Sequence, residues 1–499
     1  MLVSRLATGT HDRERMRSCE ARCFLVQSSP PGEVCASPDK RIRMPSAAAL
    51  RLALVIGATT LVPHLARAQS DNSLRTKISQ LFIFGTGQDP LFLAGSADPS
   101  NPASIQAHGD HFVPSAVSEN GSLIGFITGA ISTSVGNLPI GATSGGVSFK
   151  FEGGVPVKTS SSPGPIFAER AQTLGRGRSV VGIGRNTFHF TSLRGVPLND
   201  IELIFTHENV NFAGCDSAQG GDCSKMGIPN LENDIMQFRL NLDLDIAVTN
   251  IYATYGVTDR LDVGVVMPLV SARLHGSSDA QVIPFGGPTA AHFFAGTPAN
   301  PVLSANRDVD GSSFGLGDVA VRTKFMVHES DRARIALIGE ARFATGNADD
   351  MLGAGVFSAR GLAVISGSIE NFSAHGNVGY AHHAGAGGAP KVNDAVLATA
   401  GFDQLLAPRI SLAVDLVSEL QVGRSNLTLP GPVTYDAPFH RVIQPTTIPR
   451  MRDDLVNGSF GFKFQVPDGF TVVTNALVPL NRGGMRPDIM YSTALEFNF

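Results

Sequence analysis

DIMQFRLNLDLDI, residues 234–246, is the stretch of sequence that decides the fold. Apolar and polar side chains alternate one by one from Phe238 to Ile246. Successive side chains of a β-strand point to opposite faces, so this stretch predicts a strand with one apolar and one charged face. The same alternation recurs at 319–328, 410–422 and 456–466. We therefore expect an all-β protein.

The connections between these strands are alternately short and long. The short ones lie near 258–260, 330–332, 370–371, 407–408 and 467–469, and the longer ones near 275–315, 346–358, 384–393, 424–453 and 481–487. Transmembrane barrels have short periplasmic turns and longer external loops. Only 16% of the residues are charged, whereas soluble domains average about 25%. A soluble β-sandwich would also alternate, but these two features favour a barrel in a membrane.

Counting the alternating segments back from the C-terminus predicts an antiparallel transmembrane β-barrel of about 14 strands, an even number as in bacterial single-chain barrels. The strand at 233–257 exceeds the roughly 9–11 residues that cross a bilayer, so it is expected to rise above the membrane. The expected strands are 145–152, 178–193, 198–212, 233–257, 261–274, 316–328, 334–345, 359–368, 373–383, 395–406, 409–423, 454–466, 470–480 and 488–499.

The N-terminal part contains an export signal. Arg51 precedes an apolar run at 52–62, and Ala66-Arg67-Ala68 forms a small-x-small cleavage site. This order is typical of a secretory signal peptide, and the apolar run is too short to span a bilayer. We therefore expect a cleaved signal peptide at 44–68 and a true start at Met44, with 1–43 as a non-native extension. Residues 69–144 would form a plug or periplasmic segment ahead of a barrel at 145–499.

The last ten residues form an alternating strand that ends in phenylalanine. Tyr491, Leu495, Phe497 and Phe499 share one face of this strand. A terminal strand of this kind resembles the signal that the outer-membrane barrel assembly machinery reads. We expect it to close the barrel against a first strand near 147–151.

Three phrases carry a resemblance to a known family: YGVTDRLDVGVVMPL at 255–269, GLGDVAVRTKF at 315–325 and GPIFAERAQTLGRGR at 164–178. They resemble the outer-membrane proteins of the phenol meta-pathway degradation type, which are related to the long-chain fatty-acid transporter family. The resemblance implies a fourteen-stranded barrel with an N-terminal plug that passes hydrophobic molecules and uses no cofactor. Asn101-Pro102-Ala103 matches a plug motif of the fatty-acid transporters, whereas the absence of Trp departs from the usual aromatic girdle.

Two sets of side chains are candidates for defined roles. Charged residues of the strands should face the lumen, because a charge on the lipid face at mid-membrane costs about 2–4 kcal/mol. These residues are Arg239, Asp243, Asp245, Arg322, Lys324, Glu340, Arg342, Asp415, Glu419 and Lys463. Cys215 and Cys223 lie close together in a loop-like stretch, which favours a disulfide in an exported protein over a metal site.

The sequence excludes several classes of function. The formal net charge of −4 is not that of a nucleic-acid-binding protein. The glycines at 175, 177, 182 and 184 do not have phosphate-loop spacing, and no motif indicates an enzyme. We expect a channel for hydrophobic or aromatic compounds, such as fatty acids or phenols, in the outer membrane. Its partners would be outer-membrane lipid, the assembly machinery and the substrate. A nonspecific porin and a structural or adhesive barrel are the alternatives.

Overall fold

The computed structural model describes residues 72–84, 149–152, 155–158, 167–206, 235–284, 293–297, 299–330, 332–384, 392–427, 429, 431–435, 440–466 and 469–499. The expected extension at 1–43, the signal peptide at 44–68 and most of the expected plug lie outside these residues. Within the described residues, no helix is both long and apolar enough to cross a membrane.

Twelve of the described strands form one closed antiparallel sheet. Neighbours along the chain are mostly neighbours in the barrel, and the last strand pairs with the first to close it. Around the barrel the strands are β3 (Ser179–Leu193), β6 (Ile235–Thr258), β7 (Leu261–Ile283), β11 (Ala320–Glu329), β12 (Arg334–Arg342), β13 (Phe357–Ile369), β14 (Phe372–Ala384), β15 (Ala395–Ala407), β16 (Ile410–Gln421), β19 (Leu455–Gln465), β20 (Phe470–Pro479) and β21 (Met485–Asn498).

The remaining described strands lie outside this closed ring. Three of them add to its rim, since β4 (Val196–Pro197) pairs with β3, β5 (Ile201–Thr206) with β6, and β10 (Ser304–Leu316) with β7. The others form separate two-stranded pairs. These pairs are β1 (Phe149–Glu152) with β2 (Val155–Lys158), β8 (Ala295–Thr297) with β9 (Asn300–Val302), and β17 (Val433–Tyr435) with β18 (Arg441–Ile443).

The strand count therefore differs from the sequence prediction at two places. The expected strands at 145–152 and 198–212 are not part of the closed ring: in the described residues β1 pairs with β2, and β5 pairs with the start of β6 and forms one isolated bridge from Leu203 to Thr446. The described strands β1 and β5 are each shorter than the roughly 9–11 residues needed to cross a bilayer. The barrel begins at Ser179, and β21 closes it there rather than at 147–151. The expected loop at 275–315 is instead largely a hairpin of long β7 with β10.

The short turns between successive barrel strands lie at one end of the barrel, together with the start of β3 and the end of β21. At this end Ser179 and Phe499 exchange two backbone hydrogen bonds, of 2.8 and 3.0 Å. The long connections lie at the other end. We call the two halves of the barrel the short-turn half and the long-loop half.

The outer surface of the short-turn half is apolar. Each strand contributes outward side chains such as Ile183, Val265, Phe325, Leu337 and Leu495, each at least 38% exposed. In water a band of this size would cause association, whereas a barrel in lipid requires it. The inner surface carries buried charges such as Lys324, Glu340 and Lys463. This arrangement is typical of a transmembrane barrel.

Above the apolar band, β6, β7 and β10 continue as an extended wall that covers a helix. Helix α1 (Leu74–Gln80) begins at Ser73, whose hydroxyl accepts a hydrogen bond from the Thr76 N–H. The chain after α1 packs on the inner side of the wall, where Phe82 stacks on Phe238 with ring centroids 4.7 Å apart. The Ser278 hydroxyl donates to the Leu81 carbonyl at 2.7 Å. The described start of the chain therefore lies at the long-loop end.

Candidate functional site

Residues 167–178 run through the inside of the short-turn half, and we call them the luminal segment. Backbone N–H groups along the segment donate to inward side chains of the barrel. The Phe167 N–H donates to Asp415 at 3.4 Å, the Ala171 N–H to Ser366 at 3.1 Å and the Leu174 N–H to Asp262 at about 3 Å. Each of these groups is buried, so the segment is fixed to the wall.

Two charged side chains of the luminal segment form buried ion pairs with the wall. Glu169, which is 2% exposed, bridges Arg322 at 2.6 Å and Lys324 at 2.7 Å. Arg170 donates through Nε and Nη2 to the two oxygens of Asp403, with the Nε contact at 3.1 Å. Removing one partner of such a pair leaves a buried charge without compensation, which typically costs about 3–5 kcal/mol. These pairs therefore hold the segment in its place.

His375 extends the contact of Arg170 to a second carboxylate. Its Nε2 lies 2.7 Å from Asp415 Oδ1 and its Nδ1 lies 3.6 Å from Asp403 Oδ1, and all three side chains are fully buried. Asp415 in turn accepts the Phe167 N–H. The two carboxylates thus contact the luminal segment at two points and are joined by one imidazole.

The three phrases that carry the family resemblance meet at this segment. In the 255–269 phrase, the Asp259 carbonyl accepts from Thr173 at 2.6 Å and the Asp262 carboxylate accepts from Leu174. Gly256 exchanges backbone hydrogen bonds with residues 177 and 178, of 2.8 and 2.9 Å. A Cβ on Gly256 would lie only 1.9 Å from the Gly175 carbonyl oxygen, so glycine is required by the close approach. The 315–325 phrase supplies Arg322 and Lys324.

A cavity of about 150 Å³ lies in the lumen beside the end of the luminal segment that carries Phe167 and Glu169. Its apolar lining includes Phe188, Phe190, Leu477, Met485 and Met490. Its charged lining includes Arg322, Glu340, Arg342, Arg360, Glu419 and Arg486. The pocket thus combines apolar and charged groups, as small-molecule sites usually do.

One carboxylate is central among the charged residues that line the pocket. Glu340 lies 2.7 Å from Arg342, 3.5 Å from Arg322 and 3.9 Å from Arg360. All of these side chains are at most 11% exposed. Because Arg322 also pairs with Glu169, these contacts link the charged residues of the wall to the luminal segment.

The structure places most of the predicted lumen-facing residues inside the barrel. Lys324, Glu340, Arg342, Asp415 and Lys463 are buried, and Arg322 and Glu419 line the pocket. Arg239, Asp243 and Asp245 are exposed, and the alternate residues of β6 from Met236 to Val248 are buried. The lumen assignment of these three residues is therefore wrong. They lie on the outer face where β6 has risen above the apolar band, so the penalty for charge in lipid does not apply there.

His189 of the neighbouring strand β3 lies on the outer face beside Asp243 and Asp245. Its Nδ1 lies 3.0 Å from Asp245 Oδ1 and 3.6 Å from Asp243 Oδ1, and these side chains are more than half exposed. Exposed pairs of this kind contribute little to stability.

The sequence interpretation missed several residues of the lumen. Glu169 and Arg170 belong to a phrase that was used only for the family resemblance. Asp403 and His375 lie in expected strands, but no role was predicted for them. Arg486 lies at the start of β21, before the expected start of the last strand. A charge that alternates with apolar residues was the available signal for Asp403. No local signal could have shown that residues 167–178 run inside the barrel, because the segment has neither strand periodicity nor a long apolar run.

The remaining predicted residues are in two places. Cys215 and Cys223 lie outside the described residues, and their disulfide stays a prediction. Tyr491, Leu495 and Phe499 are 57, 43 and 62% exposed on the outer side of β21, and Phe497 stacks on Phe499.

No protein-family model and no curated protein matches the chain. Among solved structures, the chain is similar to the COG4313 outer membrane channel from Pseudomonas putida F1, with 11% identity, 66% of this chain and 98% of that chain covered, and a TM-score of 0.37. It is also similar to the CymD monoaromatic hydrocarbon channel, with 8% identity, 65% and 89% coverage and a TM-score of 0.30. A Pseudomonas aeruginosa FadL homologue gives 8% identity, 64% and 89% coverage and a TM-score of 0.27. These identities and TM-scores are too low to carry an argument about function, which is argued below from the lumen itself.

Proposed function

We propose that the protein is an outer-membrane channel for the passive uptake of hydrophobic or aromatic small molecules. The observation that carries this proposal is the filled lumen. Inside the short-turn half, buried ion pairs fix the luminal segment to the wall, and beside the segment lies a pocket whose lining is partly apolar. A nonspecific porin needs a wide water-filled lumen instead.

The outward side chains support a membrane location. The apolar band on β3 to β21 ends where the outer faces of β6 and β7 become charged, as expected where strands leave the hydrocarbon. A closed sheet also pairs its backbone groups internally, which the bilayer core demands. An export signal at 44–68 and insertion in the outer membrane are parts of the same proposal.

We extend the proposal to the N-terminal region as a plug. The residues around α1 pack at the long-loop end and the luminal segment occupies the short-turn half. A solute that crosses the barrel must therefore displace part of this chain. The ion pairs of Glu169 and Arg170 would set how easily the luminal segment moves.

Assembly is a further part of the proposal. We infer that Phe499 is read by the barrel assembly machinery, since its side chain is 62% exposed while its backbone pairs with Ser179. Deletion of Phe499 should lower the amount of protein in the outer membrane, and refolding into detergent should be nearly normal. Normal assembly of this deletion variant in cells would contradict the inference.

Uptake into vesicles tests the proposed function. The purified full chain would be reconstituted, and entry of phenol, a medium-chain fatty acid and a disaccharide would be compared with empty vesicles. We expect the protein to accelerate entry of the apolar compounds and to leave the disaccharide excluded. Equal acceleration of all three compounds would indicate a porin, and acceleration of none would contradict the proposal.

Two tryptophan variants test whether the transported molecule passes through the pocket. Met490 lines the pocket and is 2% exposed, so Met490→Trp should fill the pocket and slow uptake several-fold. Leu480→Trp is the control, because Leu480 is 59% exposed and does not line the pocket. If both variants take up the apolar compounds as fast as the wild type, the transported molecule does not pass through the pocket.

A further inference from the structure

Three metal-binding side chains lie close together on the outer face of the long-loop half: His189, Asp243 and Asp245. Their ligand atoms, one imidazole nitrogen and two carboxylate oxygens, all lie within 4.8 Å of one another. Each side chain is more than half exposed, so the group is accessible from outside the barrel. The group lies apart from the lumen, and the proposed transport function does not use it.

Strand pairing holds the three side chains in this arrangement. His189 of β3 lies directly across from Asp245 of β6. Asp243 precedes Asp245 by two residues, so both carboxylates are on the same exposed face of β6. Because the backbone ladder sets these positions, little ordering is needed before a ligand binds.

The distances within the group agree with those of a metal centre. Zinc binds nitrogen and oxygen ligands at about 2.0–2.1 Å, so two ligands at a tetrahedral angle lie roughly 3.3 Å apart. Nδ1 of His189 lies 3.0 Å from Asp245 Oδ1 and 3.6 Å from Asp243 Oδ1. Small movements of these side chains would therefore bring the three atoms to the distances of a coordinated metal.

Two neighbouring carboxylates favour a cation at this place. Asp243 and Asp245 repel each other, and in the described part of the chain His189 is their only ion-pair partner. Arg273 of β7 lies across from Asp245, but these two described side chains form no ion pair with each other. A divalent cation would compensate both carboxylates. An imidazole ligand favours zinc and similar transition metals over calcium and magnesium.

An open groove beside the group leaves room for the other ligands of a metal. The groove has a volume of about 590 Å³ and lies where the ladder between β3 and β6 ends. His189 and Asp243 line it. Asp488 also lines it, and its carboxylate accepts a hydrogen bond from the Thr191 hydroxyl at 2.7 Å. An open site with three protein ligands normally completes the coordination of zinc with water.

We propose that His189, Asp243 and Asp245 form a binding site for a divalent transition metal, Zn²⁺ in the first place, on the outside of the barrel. The metal would join β3 to β6 at the point where the two strands separate. This site goes beyond the proposed transport function, and because it lies outside the lumen, either proposal can fail without the other.

Metal titration of the purified full chain tests the site. The protein, without an affinity tag and with free thiols blocked, would compete with a chromophoric chelator for Zn²⁺ and, separately, for Ca²⁺ at pH 7.5. We expect zinc to bind about tenfold or more tightly than calcium, because calcium prefers oxygen ligands. Absence of zinc binding would mean that the group is an ordinary surface ion pair and would overturn the proposal. Equal binding of both metals would exclude coordination by the imidazole and would overturn it as well.

Ligand variants locate the site. His189→Gln, Asp243→Asn and Asp245→Asn each remove one imidazole or carboxylate ligand, and each should lower the zinc affinity about tenfold or more. His382→Gln is the matched control, because His382 is equally exposed and lies 3.0 Å from a single carboxylate, that of Asp394. Wild-type zinc affinity in the three ligand variants, or an equal loss in the control, would overturn the assignment.

Hydrogen exchange shows whether the metal joins the two strands. Zinc should slow backbone exchange at 187–191 of β3 and at 243–247 of β6, because both strands supply ligands. The His189→Gln variant should show no such effect, and exchange near the distant turn at 370–371 should not change in either protein. Zinc that binds tightly without slowing exchange in β3 and β6 would overturn this location.

Discussion

Strand β6 turns the same face toward the inside along its whole length, but the chemical character of its two faces is inverted between the two halves. Near the short turns, outward residues such as Tyr255 and Val257 are apolar, and inward residues include Tyr252, which donates to Glu496 at 2.9 Å. Near the long loops, outward residues such as Asp243 and Asp245 are charged, and the inward residues are leucine, isoleucine and phenylalanine. β7 changes in the same way between Val265 and Arg273.

This inversion reflects the change of solvent along the strand. In the bilayer the outside must be apolar and the inside can hold paired charges, whereas above the bilayer water lies outside and a hydrophobic core lies inside. The same strand therefore places its apolar side chains outside within the bilayer and inside above it. Period-two alternation shows that a strand exists, but it does not show which face is inside unless the depth is known. Four predictions test this difference between the halves.

The largest effect is expected for the core of the long-loop half. Phe238 is fully buried, stacks on Phe82 and meets Phe205 edge-on. Phe238→Ala should lower the free energy of unfolding by about 3–5 kcal/mol. Asn241→Ala, on the exposed face of the same strand, should change it by less than about 0.5 kcal/mol. Urea unfolding in lipid vesicles measures both, and similar values would contradict a hydrophobic core above the membrane.

The second prediction concerns charge on the outer face at two depths of β7. Val265→Arg places a cation in the apolar band and should cost about 2–4 kcal/mol of folding free energy in lipid. Ser277→Arg places it beside Asp308, its cross-strand neighbour above the band, and should be nearly neutral. The same vesicle titration applies. Equal costs would mean that the apolar band does not end where we place it.

The third prediction concerns the inside of the short-turn half. Gly256→Ala brings a Cβ to within 1.9 Å of the Gly175 carbonyl oxygen, so the luminal segment must shift. We expect a loss of about 1–3 kcal/mol and faster proteolysis within 167–178. The control is Gly361→Ala, because no atom lies within 4 Å of the added Cβ. If the two variants behave alike, the segment is not packed against β6.

The smallest effect is expected for an ion pair on the outer wall above the membrane. His275 Nδ1 lies 2.7 Å from Asp310 on β10, and this hydrogen bond, together with the negative charge of Asp310, raises the pKa of His275. Because the pKa of His275 in the folded state lies above the ordinary histidine value of about 6.5, the pair contributes fully to stability below about pH 6.5, and this contribution is lost as the pH rises through the raised folded-state pKa. Hydrogen exchange of β10 should therefore be slightly faster at pH 8.5 than at pH 5.5, after correction for intrinsic exchange. Because both groups are more than half exposed, the effect should be small. His275→Gln should abolish this pH dependence, and an unchanged dependence would exclude the pair as its cause.

Much of the fold follows from the sequence because the barrel strands are regular. Alternation and turn residues place all twelve barrel strands nearly where the sequence predicts them, and the turns near 258–260 and 370–371 have the expected short form. The other two of the fourteen expected strands, 145–152 and 198–212, alternate too, but the strands described there, β1 and β5, lie outside the closed ring. Local pattern cannot distinguish a strand that crosses from one that adds to a rim.

The site was less predictable because it depends on contacts between distant parts of the chain. Arg322, Lys324 and Glu340 could be predicted as inward because charge in the bilayer leaves them no other direction. Glu169 and Arg170 could not, since their partners lie more than 150 residues away and their segment has no regular structure.

Ion conductance in a planar bilayer tests most directly whether the luminal segment closes the short-turn half. The full chain should show no steady open-pore current at neutral pH. A chain that begins at Ser179, and so lacks the luminal segment and the residues around α1, should conduct steadily once folding of its barrel is verified. A steady porin-like current from the full chain, or equal currents from both chains, would contradict the account.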